Sequence, residues 1–223
     1  MKRNSSDCSI YVLAITIADR FQGIVFSLLV KWGGKEMERK RLVVMLEIAI
    51  MAAVATVLGQ VKFGALWAMG GSISLVMVPI FIMMYRRGWK AGVITGLLVG
   101  ILDLLIGGYV VHPVQLVLDY PLAYAVLGLG GLFVANYGKG NCENSITITS
   151  AIIGTAIGSS LRLLSHFASG VIWFGEYAPE GIPVALYSII YNGSYLVPEM
   201  IITVVVIMLI SKYYPKFFDI NSK

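Results

Sequence analysis

The sequence has few charged residues and few of the side chains that hydrolytic or metal chemistry requires. Charged residues make up 13% of the 223 residues and hydrophobic ones 58%, whereas soluble domains carry about 25% charged residues. There are two histidines and two cysteines, with no H-E-x-x-H zinc motif and no P-loop. These absences argue against a large soluble domain, a zinc protease and nucleotide hydrolysis through a P-loop. They predict an integral membrane protein with no metal or cofactor.

Six apolar stretches are candidates for membrane-spanning helices, which need about 20 residues each. They cover residues 43–59, 72–85, 91–108, 114–136, 146–174 and 183–210. The second stretch is short and contains Pro79, which predicts a bent or partly spanning helix. We therefore predict an all-α membrane protein, a bundle of six transmembrane helices that forms one domain over residues 37–223.

The basic residues indicate how this bundle is oriented. Ten of them flank the predicted helices on one side, and only Lys62 falls in a loop on the other side. Basic residues are enriched in cytoplasmic loops, so we expect a multi-pass protein of a bacterial cell membrane with both termini in the cytoplasm. The net charge of +5 is explained by this orientation in the lipid bilayer, and no nucleic-acid partner is expected.

Residues 1–36 do not fit the bundle. A span over residues 9–30 would be interrupted by Asp19, Arg20 and Gln22 and would leave the basic residues after it on the outer side, against the orientation rule. Trp32–Met37 can be encoded by a purine-rich ribosome-binding sequence followed by ATG. We hypothesise that translation starts at Met37 and that the N-terminal extension is a start-site artefact, which the intact mass of the native protein would test.

Five polar side chains converge in the outer half of the predicted membrane domain. Arg162 and His166 lie four residues apart and share a helix face, and the helical rise of 1.5 Å per residue places Asp119, Tyr187 and Asn192 at similar depth. Ionisable groups within the bilayer are costly unless they face protein, water or a ligand. A carboxylate such as Asp119 needs a partner, and we expect a ligand or Arg162 in preference to the alternative, a side chain that snorkels to the membrane surface.

Aromatic residues surround this cluster and allow two interpretations. They are Trp67, Tyr109, Tyr120, Trp173, Phe174, Tyr177 and Tyr191. Together with a carboxylate they suit a small, flat cation, but the same residues are typical of an interfacial belt.

Three other polar features are less decisive. Asp103 lies at a depth at which it can join the site, and Glu199 can satisfy backbone groups freed by Pro198. His166 on its own is also compatible with an interhelical hydrogen bond or, beside Ser165 or Ser188, with an intramembrane hydrolase that no nucleophile motif supports.

The sequence from about residue 37 onwards resembles the ThiT/YuaJ family, the thiamine-specific S components of energy-coupling factor (ECF) transporters. The segments that carry the resemblance are LEIAIMAAVA (46–55), GGSISLVMVPIFIMMYRRG (70–88), HPVQLVLDY (112–120), SSLRLLSHFASGVIWFGEYAPEG (159–181) and VALYSIIYNGSYLVP (184–198). The resemblance implies a six-helix bundle that captures thiamine from the outside, with the first outer loop acting as a lid.

The resemblance also implies roles for individual residues. Asp119 would face the cationic thiazolium ring, His166 would contact the same region, and Tyr187 and Asn192 would hydrogen-bond the aminopyrimidine. Arg162 would be a basic lining residue, and Phe174 would be the stacking aromatic with Trp173 beside it. Tyr109 and Tyr120 would be further lining aromatics, and Trp67 would be the tryptophan of the lid.

The partners implied by the resemblance are a transmembrane coupling subunit (the T component) and two ABC-type ATPases. Ala49 and Ala53 match the small-xxx-small docking face of the family, and small residues allow close helix approach. The expected function is thiamine capture, not catalysis. Two alternatives remain, an S component for another vitamin and an intramembrane enzyme that uses His166 and Asp119.

Overall fold

A computed structural model describes residues 37–63, 71–134, 148–214 and 217–218. The N-terminal extension of residues 1–36 lies outside the described residues, and so does Trp67. Residues Val44–Lys223 form one compact unit. In the separate unit Met1–Val43, the described part is the beginning of the first helix.

The described residues form an all-α fold, as predicted. The helices are α1 (Met37–Gln60), α2 (Met77–Arg87), α3 (Trp89–Gly107), α4 (Pro113–Leu132), α5 (Ile148–Trp173) and α6 (Val184–Tyr213). Five of them, all but α2, are long and apolar enough to cross a membrane. The expectation that the second helix is short is therefore confirmed, although it begins and ends later than the predicted 72–85.

Helix α2 lies in the interior of the bundle. Its first nine residues, Met77–Tyr85, are all buried, and the helix packs against α3, α4 and α6. A helix that is apolar on every side is buried on every side. The core cluster around Phe81 and Tyr85 is therefore built around this short helix.

The close packing of α3 against α4 depends on glycines spaced four residues apart. Gly92, Gly96 and Gly100 lie on one face of α3. A β-carbon on Gly96 would stand 2.1 Å from the carbonyl oxygen of Tyr124, and one on Gly100 would stand 2.5 Å from that of Tyr120. Backbone atoms cannot move aside as a flexible side chain does, so glycine is required at both positions. Small residues of this spacing allow helix backbones to approach closely within a membrane.

Helix α4 changes its winding near the middle. An α-helical start, Pro113–Val117, is followed by a π-helical turn, Leu118–Leu122, which contains Asp119 and Pro121. Proline lacks the backbone N–H that a regular helix uses. The Ser165 hydroxyl donates to the carbonyl oxygen of Leu118 over 2.6 Å, which supplies a partner at this turn. Single π-helical turns are frequent at functional sites.

An ion-pair cluster joins α1 to the end of α2. The carboxylate of Glu47 accepts hydrogen bonds from Arg87 at 2.6 and 2.7 Å and pairs with Arg86 at 3.3 Å. On the same helix, Ala49 and Ala53 are exposed, whereas Ala52 and Ala55 belong to the core. The two alanines expected to dock a partner are thus accessible, and their role stays a prediction.

Candidate functional site

A cavity of about 200 Å³ opens at the end of the bundle opposite the Glu47 cluster. Its walls come from the C-terminal end of α1, the connection before α2, and α3 to α6. Eight of the ten side chains predicted from the sequence line it, namely Tyr109, Asp119, Tyr120, Arg162, His166, Phe174, Tyr187 and Asn192. The structure therefore brings together residues that are up to 83 positions apart in the chain.

Asp119 is held by three polar neighbours on one wall of the cavity. Its Oδ2 accepts hydrogen bonds from Gln115 Nε2 and Ser169 Oγ, each over 2.7 Å. Its Oδ1 lies 3.1 Å from His166 Nδ1. Gln115 in turn donates to the carbonyl oxygen of Tyr109, so the carboxylate is fixed in orientation. Of the two partners expected for Asp119, Arg162 is not the one found, because it pairs with Glu199, and a ligand stays a prediction.

His166 has one ring nitrogen left without a partner. Its side chain is 13% exposed, and Nε2 is buried with no hydrogen-bond partner among the described residues. When Nδ1 carries the proton it donates to Asp119, and Nε2 is then an acceptor. His166 lines the cavity as a residue, and its bond to Asp119 fixes the orientation of the ring.

Arg162 pairs with Glu199 instead of Asp119. Its Nη1 lies 3.4 Å from Glu199 Oε2, and its guanidinium lies over the ring of Tyr124, 4.4 Å from the centroid. The other oxygen of Glu199 accepts a hydrogen bond from Ser74 Oγ over 2.8 Å. The expectation that Glu199 satisfies backbone groups near Pro198 is therefore wrong, because its carboxylate serves the arginine and the serine.

The remaining carboxylate of the cavity is Asp103. It accepts a hydrogen bond from the Tyr124 hydroxyl over 2.9 Å. Among the described residues neither Asp103 nor Asp119 forms an ion pair with lysine or arginine. Since Glu199 balances Arg162, these two carboxylates leave the inner cavity with an excess of negative charge. Lys62 also lines the cavity, but its side chain is exposed.

Asn192 and Tyr187 project from α6 into the same space. The amide nitrogen of Asn192 donates to the carbonyl oxygen of Ser188 over 3.0 Å, and its amide oxygen accepts from the Tyr195 hydroxyl over 2.7 Å. The ring of Tyr187 packs against that of Tyr191, with the centroids 5.8 Å apart. This face of α6 therefore offers aromatic surface beside polar groups of fixed orientation.

Only one of the two neighbouring aromatics at the end of α5 faces the cavity. Phe174 lines it, and its ring centroid lies 6.3 Å from those of Tyr109 and Tyr177. Trp173 does not line the cavity and stacks on His112, with the centroids 5.3 Å apart. The expectation that Trp173 lines the site is wrong, because the helix ends at Trp173 and the two consecutive side chains point in different directions.

The outer aromatic residues are linked to one another. The Tyr120 hydroxyl accepts a hydrogen bond from the backbone N–H of Tyr109 over 2.6 Å. The nearby phenol of Tyr109, partial burial and Glu176 together raise the pKa of Tyr177 above its ordinary value. Tyr177 therefore remains neutral and able to donate a hydrogen bond at physiological pH.

Sequence reasoning missed several lining residues. They are Ser74, Gln115, Tyr124, Ser169 and Tyr195. Helical spacing offered a signal for two of them, since Gln115 precedes Asp119 by four residues and Ser169 follows His166 by three. The others depend on contacts between helices that are far apart in the chain.

The chain matches known proteins over most of its length. A family model described as "Thiamine transporter protein (Thia_YuaJ)" matches residues 45–219. The chain belongs to this thiamine transporter family. It is 42% identical to the thiamine transporter ThiT of Bacillus subtilis (strain 168) over 184 residues, which cover 80% of the chain and 95% of the relative. It is 34% identical to ThiT of Lacticaseibacillus paracasei, over 81% of the chain and 92% of the relative.

A solved structure of a Thia_YuaJ relative has the same fold. ThiT from Listeria monocytogenes superposes with a TM-score of 0.71 at 33% identity, covering 80% of this chain and 98% of that one. Family membership and the five long apolar helices together show a multi-pass membrane protein. The family match begins at residue 45, so the extension of residues 1–36 lies outside it.

Proposed function

We propose that this Thia_YuaJ member is a thiamine-binding S component that captures thiamine from the outside for ATP-driven uptake. The observation that carries the proposal is Asp119, a carboxylate with no lysine or arginine partner among the described residues, set in a cavity walled by aromatic rings. A buried carboxylate favours a ligand that brings a positive charge. Aromatic faces add cation–π attraction and stacking area. Thiamine offers a permanent cationic thiazolium ring and a flat aminopyrimidine.

The arrangement of the cavity supports a mode of binding. In this proposal the thiazolium cation lies near Asp119, and Phe174 contributes the stacking surface. Tyr187 and Asn192 hydrogen-bond the aminopyrimidine. His166, held by its bond to Asp119, contacts the thiazolium region. The task of the site is to bind and orient, and no group in this arrangement is required to break a covalent bond.

ATP-driven uptake needs an ATPase, and the sequence shows no P-loop. We propose that an ECF coupling subunit and two ABC-type ATPases supply it, in a bacterial cell membrane with both termini of the chain in the cytoplasm. The membrane domain comprises residues 37–223. The exposed Ala49 and Ala53 on α1 form the surface on which the coupling subunit docks.

Binding is tested by titrating the purified full-length chain in detergent with thiamine, following its tryptophan fluorescence and the heat of binding. Saturable quenching at one ligand per chain supports the proposal. Absence of binding to thiamine, with binding of riboflavin or biotin instead, would overturn the ligand assignment. Mass spectrometry of the recovered ligand checks for turnover, and any chemically altered thiamine would argue for an enzyme.

Docking is tested by placing a large residue on the proposed surface. Ala49→Trp should abolish thiamine uptake by the assembled transporter while leaving thiamine binding by the isolated chain unchanged. The control is Val57→Trp on the same helix, where the side chain is 66% exposed. Equal uptake in the two variants would remove Ala49 from the docking surface.

A further inference from the structure

Arg162 poses an electrostatic problem for a site that holds a cation. It lines the cavity, its residue is 5% exposed, and its Nε has no hydrogen-bond partner among the described residues. A guanidinium is always protonated in proteins. Left uncompensated, its charge would repel a cationic ligand and cancel part of the attraction due to Asp119.

Glu199 is placed to remove this repulsion without touching the ligand. Its side chain is 1% exposed and it is absent from the residues that line the cavity. One carboxylate oxygen faces Arg162 and the other is fixed by Ser74. The arginine lies between the cavity and this carboxylate, with the Tyr124 ring against its face.

We propose that Glu199 preserves the selectivity of the cavity for a cation, by neutralising Arg162 from behind the cavity wall. This inference rests on the proposed thiamine site. The pair leaves Arg162 in the cavity wall and compensates its positive charge. The electrostatic potential inside the cavity is then set by the carboxylates of Asp103 and Asp119. Glu199 is a positioning residue, since it acts on the ligand only through Arg162.

Substitutions in the Arg162–Glu199 pair separate the effect of charge on ligand binding from the effect of side-chain shape. Removing one member of a buried ion pair leaves an uncompensated charge, whereas replacing both members by neutral groups is often tolerated. Glu199→Gln should therefore convert Arg162 into a free cation beside the ligand. The additional replacement Arg162→Gln should remove that cation again. A role limited to packing predicts no such rescue.

The test measures two ligands of equal shape and different charge by titration calorimetry. Thiamine carries the thiazolium cation, and 3-deazathiamine is a neutral analogue with the same substituents. In Glu199→Gln we expect the Kd of thiamine to rise about 30-fold, the effect of a unit charge at roughly 8 Å and an effective dielectric of about 20. The Kd of the neutral analogue should rise less than about threefold, because the charge term is absent. The double variant Arg162→Gln/Glu199→Gln should regain the preference of the native chain for thiamine.

Parallel weakening of both ligands in Glu199→Gln, without rescue in the double variant, would overturn the inference. If Glu199→Gln does not fold, Arg162→Gln gives the converse test, because it leaves the charge of Glu199 uncompensated and should lower the Kd of thiamine relative to that of the neutral analogue. An unchanged ratio of the two Kd values in Arg162→Gln would also overturn the inference. The proposed function is judged separately, since it fails if the native chain does not bind thiamine.

Discussion

Replacing Asp119 by asparagine removes one negative charge from the cavity with little change of shape. The Asp119 side chain is 15% exposed and accepts hydrogen bonds from Gln115 and Ser169 through a single oxygen. An asparagine oxygen can keep those two bonds, and its NH₂ group can donate to His166 once that ring protonates on Nε2 instead of Nδ1. The replacement should therefore lower the free energy of unfolding by only about 1 kcal/mol, the usual net worth of one hydrogen bond.

Thiamine binding should respond much more strongly than folding. A carboxylate and a cation about 6 Å apart at an effective dielectric of about 20 attract each other by roughly 2 to 3 kcal/mol. The Kd of thiamine should thus rise by about 30- to 140-fold.

The assay is titration calorimetry of purified protein, with thermal unfolding measured in the same detergent. Glu180→Gln is the matched control, because it removes the same charge from an exposed residue that does not line the cavity. We expect the control to bind like the native chain. An unchanged Kd in Asp119→Asn would refute the role of Asp119, and a loss of binding matched by a loss of folding would refute the separation of the two.

Three further predictions concern packing and the lining of the cavity. Phe174→Ala should raise the Kd of thiamine about tenfold through lost stacking and contact area, and Trp173→Ala by about twofold or less; equal effects in calorimetry would contradict the assignment of Phe174 to the cavity. Gly96→Ala should lower the Tm by roughly 5 °C or more because its methyl group meets backbone, whereas Gly193→Ala, where a β-carbon meets nothing within 4 Å, should not lower it. Glu47→Gln should lower the Tm by about 2–4 °C through loss of its partly exposed ion pairs, and an unchanged Tm would show that they contribute nothing.

The sequence alone was enough to predict the fold class and the part of the bundle in which the cavity lies. Long apolar stretches fix the spans because the bilayer sets their length. Depth along each helix follows from the constant rise per residue. Arg162, His166, Asp119 and Asn192 could therefore be assigned to one region before their contacts were known.

Partnerships between helices could not be predicted in the same way. Arg162 was considered as a partner of Asp119 because the two residues lie at similar depth in the membrane. Which residues actually pair depends on how each helix is rotated about its axis. The π-helical turn changes the rotation of α4 at Asp119, and α6 presents Glu199 to Arg162. Rotation also separates Phe174 from Trp173. The residue pattern of one helix does not indicate how a neighbouring helix is rotated about its own axis.

The shortness of α2 has a consequence for how the protein is made. Its 11 residues rise about 16 Å, roughly half the thickness of the hydrocarbon core. Such a segment gains little from lipid, and its buried residues acquire their contacts only when α3, α4 and α6 are in place. Membrane insertion of this chain is therefore not a series of independent events. We expect α2 to stay at the translocon or at the membrane interface until the later helices enclose it. A chain truncated after α3 should therefore lack a stable position for α2.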